Sequence, residues 1–183
     1  MKTTPIYLDD PYVKEMKAKI IDAIQEKEGV WRLILDETIF YPMGGGQPTD
    51  QGQIIFSDGS RAEVYQALLK DGEINHYVKT SSQPVLGSEV RGIIDWERRY
   101  KNMRVHSAGH VIDFSMYLLG YSPSPLHPMK GDHGKKPFVL YQGAIEKEIK
   151  DELQKKSNEL IAKDFNFSWN FDLLENIEKE AIY

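Results

Sequence analysis

The chain has 183 residues with 40% hydrophobic and 28% charged side chains, a balance that supports a buried core and excludes a disordered polymer. It has no cysteine, which excludes disulfides and thiolate metal ligands within the chain. It also has no apolar run long enough for a membrane helix and no secretory signal, so no membrane contact and a cytoplasmic location are expected. The net charge of −5 argues against a general nucleic-acid binder, because such proteins neutralise phosphates with Lys and Arg.

Residues 14–25 permit a helix by composition and a strand by their place before a hairpin. Trp31–Leu35 follows a Glu28-Gly29 turn and reads as a strand, as does Gln53–Phe56 before Asp58-Gly59-Ser60. Arg61–Gln66 and Glu73–Lys79 flank Asp71-Gly72, a short-loop hairpin signal. Gly87–Asp95 gives a further strand. Closely spaced strands with turn signals predict a small antiparallel barrel or sandwich, and the barrel is the architecture expected. From Trp96 to about Leu119 only Gly109 interrupts a helical pattern. Residues 121–136 read as a long Pro-, Gly- and His-rich loop, Pro137–Tyr141 as a strand and Ala144–Lys163 as a charged helix. Asp172 is placed to cap a last short helix running to about Ala181. The change of character near Asp95 predicts two domains, 1–95 and 96–183.

Three groups of residues carry chemistry. His106 and His110 stand at i and i+4 on the long helix, which puts both imidazoles on one face, one turn apart, within reach of a single metal ion. The spacing alone is also met by two unconnected surface histidines, and no Glu lies between them as in a zinc protease. Phe40-Tyr-Pro-Met-Gly-Gly-Gly-Gln-Pro-Thr-Asp50 places three glycines after a strand, followed by amide, hydroxyl and carboxylate groups. It is neither a P-loop nor a dinucleotide fingerprint, and it reads as a ligand-approaching loop or as a plain hairpin connection. Two basic stretches, Arg98, Arg99, Lys101 and Arg104, then Lys130, His133, Lys135 and Lys136, read as local phosphate contacts or as solvated faces.

Residues 40–52, Asp95-Trp-Glu-Arg-Arg-Tyr100 and His106-Ser-Ala-Gly-His110 together resemble, in wording, order and separation, the editing domain of alanyl-tRNA synthetases and its freestanding homologues, the alanyl-tRNA editing proteins. Thr4–Asp10 also resembles the start of the freestanding members. The resemblance covers most of the chain, densest from Asp36 to Ile112 and loose from Tyr121 onward. It implies an α+β fold in which the barrel precedes an α+β editing domain built on the His-x-x-x-His helix. It implies a Zn2+-dependent hydrolase that removes serine or glycine from mischarged alanine tRNA, with tRNA as partner. His106 and His110 match the first half of the family's zinc site. The second half, a later Cys-x-x-x-His element, has no match here, so the expectation is either a fragment of a longer product or a member without half its metal ligands. His127 and His133 are the conceivable replacements. The resemblance further implies that Gly44, Gly45 and Gly46 line the substrate pocket, that Gln47 or Thr49 bonds a serine hydroxyl, and that Arg98, Arg99 and Arg104 contact tRNA. A metal-poor relative that grips tRNA without hydrolysis is the alternative.

Overall fold

A computed structural model describes residues 3–166 and 172–180. In chain order the elements are β1 (Thr4–Pro5), α1 (Ile6–Asp9), β2 (Glu15–Lys27), β3 (Val30–Leu35), β4 (Glu37–Thr38), β5 (Gly52–Phe56), β6 (Arg61–Lys70), β7 (Glu73–Lys79), β8 (Glu89–Ile94), α2 (Trp96–Leu118), β9 (His127–Asp132), β10 (Phe138–Gln142), α3 (Lys150–Ala162) and α4 (Leu174–Glu180). Six strands close an antiparallel barrel in the order β2-β3-β7-β6-β5-β8, and the chain is α+β. Short β1 and β4 pair in parallel beside it.

Strand β2 makes closure possible. Glu15–Lys19 pair with β8, whereas Ile20–Lys27 pair with β3. Register shifts fall between Ile20 and Asp22 and between Gln25 and Lys27, and an extra residue on one strand bends it. The ambiguity over 14–25 is therefore settled as strand. Met16, Ala18 and Ile20 alternate inward with lysines between them, the period of two that a half-buried strand requires. Leu33, Leu35, Ile54, Val64 and Val78 complete a fully buried barrel interior.

Asp95 caps α2, its Oδ1 accepting from the Arg98 N–H at 3.0 Å. Trp96 stacks on Tyr100 with centroids 5.6 Å apart, packs on Tyr12 at 5.7 Å and lies under the Lys14 ammonium at 4.7 Å. These contacts tie the helix start to the barrel. Accordingly the chain divides into two compact units, Met1–Met103 and Arg104–Tyr183, inside α2 rather than before it near Asp95.

In the second unit, residues 121–136 are not the structureless loop that the sequence suggests. They contain β9, which pairs antiparallel with β10. The β9 sequence, His-Pro-Met-Lys-Gly-Asp, has no apolar alternation to announce a strand, so its pairing is decided by its partner. Helix α3 begins at Lys150, later than Ala144, and meets α2 through the Ser115 and Ser157 hydroxyls, 3.0 Å apart. The Asp172 carboxylate accepts from the Leu173 N–H at 2.7 Å and the Asn176 amide at 2.8 Å before α4; the expected end at Ala181 lies outside the described residues. Among the described residues no helix is long and apolar enough to cross a membrane.

Candidate functional site

The Gly-rich segment is a tight turn. The Gln47 N–H donates to the Gly44 carbonyl at 2.9 Å, and the Gly44 N–H donates back to Gln47 at 3.2 Å. Between them Gly45 and Gly46 have φ of 54° and 75°, the left-handed pair of a two-residue hairpin turn, which glycine adopts without steric cost. The flanks are pinned to the barrel. Tyr41 and Asp50 exchange bonds, backbone N–H to carboxylate at 2.8 Å and N–H to carbonyl at 3.0 Å. Thr49 Oγ1 accepts from the Ala67 N–H at 2.7 Å and donates toward the Asp50 carbonyl at 3.1 Å. Both polar valences of Thr49 are thus engaged within the unit, and Gln47 beside it is buried.

Asp50 and Arg99 form the frame of this loop. Arg99 Nε donates to both Asp50 oxygens at 3.0 and 2.8 Å, one terminal nitrogen reaches the Pro11 carbonyl at 2.9 Å, and the other reaches Asp50 and the Ile39 carbonyl. Asp50 is 0% and Arg99 2% exposed. Burial pushes the Asp50 carboxyl up from its ordinary range, and the hydrogen bonds and charge of Arg99 oppose it. The geometry gives Arg99 an internal role in place of the tRNA contact expected of it. Arg98 is half-buried and donates to the Thr49 carbonyl at 3.1 Å, whereas Arg104 is exposed in the second unit.

Sequence reasoning passed over His76. Its ring is fully buried, with Nε2 2.8 Å from Thr38 Oγ1 and Nδ1 3.2 Å from the Leu33 carbonyl. A carbonyl only accepts, so Nδ1 carries the proton and Nε2 accepts from Thr38. Thr38 Oγ1 in turn accepts the Phe40 N–H at 3.0 Å. Neutral His76 therefore satisfies every group in this chain, and burial lowers its pKa from 6.5 to about 4. The signal was available: Ile74, His76 and Val78 occupy alternate, inward positions of β7.

The second unit gathers imidazoles. His106 and His110 stack on α2 with centroids 5.0 Å apart, and His133, the residue after β9, stacks on His106 at 4.5 Å and lies 6.5 Å from His110. His127, at the opposite end of β9, is exposed. Two glycines make room for His133. A Cβ on Gly109 would lie 2.4 Å from its Cε1, and a Cβ on Gly131 would lie 2.9 Å from Cε1 and Nε2. Burial, then the neighbouring His133 and His110, hold His106 down at about 4. Burial and His110 also lower His133, against the opposing charges of Asp132 and Asp113. Burial thus favours the neutral form of His106 and His133, the form in which an imidazole nitrogen ligates a metal. Their donor chemistry fits a zinc-type ion. Their present orientation is face to face, and among the described residues no three His, Cys, Asp or Glu side chains converge on a common metal position.

A barrel carrying a Gly-rich turn, followed by a helix carrying paired histidines, is the organisation of a protein related to the aminoacyl-tRNA synthetases, and residues 11–98 match the family model of tRNA synthetases class II (A). The chain is 33% identical over 184 residues to the alanyl-tRNA editing protein AlaX-M of Methanosarcina mazei, covering 97% of this chain and 70% of that protein. It is 43% identical over 108 residues to AlaX-L of Pyrococcus horikoshii, which is 58% of this chain and 26% of the relative. It is 30% identical over 187 residues to the alanine–tRNA ligase of Halobacterium salinarum. It spans 20% of that ligase. The chain belongs to the AlaX family of freestanding alanyl-tRNA editing proteins.

Proposed function

We propose that this chain is a trans-acting deacylase that hydrolyses the aminoacyl ester of alanine tRNA charged with serine or glycine, in the cytoplasm where tRNA is charged. The observation that carries the reading is the His106–His110 pair on one helix face, in a chain whose relatives are named alanyl-tRNA editing proteins. Zn2+ is the cofactor proposed, with His106 and His110 as ligands. A zinc ion with an open position polarises a carbonyl or brings a bound water's pKa near neutrality. The chain's own contribution is to favour the neutral His106 imidazole, the form that ligates a metal, by partly burying it.

Gly44, Gly45 and Gly46 are assigned to substrate binding, because a turn without Cβ atoms lets a ligand approach the backbone closely. Gln47 and Thr49 are the two hydroxyl-reading candidates, and the Thr49 hydroxyl already holds the Ala67 N–H. A site that hydrogen-bonds the serine hydroxyl rejects alanine by leaving a buried polar group unpaired. Arg98 and Arg104 are assigned to tRNA phosphates.

The test is deacylation of serine-charged alanine tRNA by the 183-residue chain with zinc supplied and alanine-charged tRNA as control. Serine-selective loss is expected; loss at the spontaneous rate overturns the hydrolase reading. A second reading, a metal-poor relative that grips tRNA without hydrolysis, is favoured by the stacked, non-converging imidazoles. It predicts tRNA binding with no deacylation and no bound metal.

A further inference from the structure

We infer that Tyr12, Trp96 and Tyr100 form a stacking platform for the unpaired bases of a single-stranded RNA end. The choice of RNA rests on the proposed editing reading, since a tRNA carries its aminoacyl ester on an unpaired 3′ end. Trp96 anchors the group. It is half-buried and packs on the barrel core, stacks on Tyr100 with planes 25° apart, and meets Tyr12 at 49°. The outer two residues face water: Tyr12 is 57% and Tyr100 42% exposed, so the ring of Tyr12, and not only its hydroxyl, meets solvent. Aromatic side chains scattered singly over a surface need no explanation, whereas a contiguous exposed group marks an interaction site. The Lys14 ammonium lies 4.7 Å from the Trp96 ring centroid. A cation among aromatic faces is the combination with which proteins hold single-stranded nucleic acid.

The platform shares its frame with the Gly-rich turn. Arg98 donates to the Thr49 carbonyl, and Arg99 joins Asp50 to the carbonyl of Pro11, the residue before Tyr12. The start of α2 therefore holds both the stacked rings and the flank of Gly44–Gly46. Tyr12 is also set in place before any ligand arrives, its N–H donating to the Asp10 carboxylate at 2.8 Å, which lowers the ordering cost of binding. Charge selects the mode of recognition. Lys14 and Arg98 are accompanied by Asp10, Glu15, Asp95 and Glu97, in a chain of net charge −5, so the pull on a phosphate backbone is weak. Stacking needs no net charge, because every base has a π-face. In a duplex those faces are already covered by neighbouring base pairs, so the platform fits unpaired bases.

The experiment measures fluorescence anisotropy of two labelled, uncharged RNA hairpins, one with a short unpaired 3′ end and one blunt, titrated with the full chain. The wild-type protein is expected to prefer the hairpin with the unpaired end. Tyr12→Leu keeps an apolar contact on Trp96 but has no π-face, and should weaken that binding by roughly 5- to 100-fold, the worth of one base stack. Tyr12→Phe should bind like wild type, and both variants should keep the wild-type urea midpoint. Equal affinity of the wild-type chain for the two hairpins, or binding of neither, overturns the platform, as does wild-type affinity in Tyr12→Leu. The tRNA deacylation assay reports separately on the editing reading: serine-selective hydrolysis with no preference for the unpaired end leaves that reading standing without the platform. A preference lost in Tyr12→Leu, in a chain that does not hydrolyse, keeps the platform and overturns the hydrolase.

Discussion

Replacing Asp50 by alanine probes the frame of the Gly-rich turn. The substitution leaves the Arg99 guanidinium, 2% exposed, without its anion, and leaves the Tyr41 N–H without the carboxylate it meets at 2.8 Å. Stranding one member of a buried pair costs about 3–5 kcal/mol, and an orphaned buried N–H adds about 1 kcal/mol or more. The barrel unit should therefore lose about 4–6 kcal/mol. For a chain of this length each kcal/mol lowers the melting temperature by roughly 2–4 °C, so the midpoint should fall by on the order of 10–20 °C. Urea unfolding and scanning calorimetry measure both quantities. The double variant Asp50→Ala with Arg99→Met should recover part of the loss, since neither charge is then buried alone. A single-variant loss under about 1 kcal/mol, or strictly additive losses in the double, would refute the argument that the pair acts as a buried unit.

Three further outcomes follow. His76 has a folded pKa of about 4 against an ordinary 6.5, so as pH falls below 6.5 the unfolded chain takes up a proton that the folded barrel refuses. Stability should drop by about 3 kcal/mol between pH 6.5 and 4, and His76→Gln should remove that component of a pH series of urea midpoints. Gly45→Ala places a Cβ at φ 54° and should cost roughly 1 kcal/mol by thermal melt, without disturbing the barrel's far-UV spectrum. His106→Ala should abolish zinc binding in equilibrium dialysis; unchanged stoichiometry would sink the ligand assignment.

How much of this was legible in the sequence depends on which force decides each element. The barrel was legible because alternation is local: Asp71-Gly72 between two alternating segments leaves little besides a hairpin. Strand β2 was not, because its bulges break the period of two at Ile20–Asp22 and its lysine-rich outer face scores as helix. β9 was illegible for a different reason, being a strand of His, Pro, Met, Lys, Gly and Asp that exists because β10 is beside it. His76 was recoverable in principle, since a polar residue at an inward position of β7 signals either a site or a satisfied core group. Only the Thr38 and Leu33 contacts distinguish the two.

The Gly-rich motif and the histidine motif divide their labour in a way that the residue types alone do not reveal. Around Gly44–Gly46, the groups that look most reactive in sequence, Thr49 and Asp50, spend their hydrogen bonds on Ala67, Tyr41 and Arg99. What the turn offers a ligand is its glycine backbone, beside the buried Gln47 side chain. The imidazoles of the second unit show the converse. His106 and His133 are lowered in pKa by burial and by neighbouring imidazoles, and Gly109 and Gly131 leave the room that the His133 ring fills. On the proposed editing reading, a metal-assisted ester hydrolysis draws on neutral imidazoles rather than on hydroxyls committed to the backbone, so that reading puts the chemistry at the histidine pair and the selectivity at the turn.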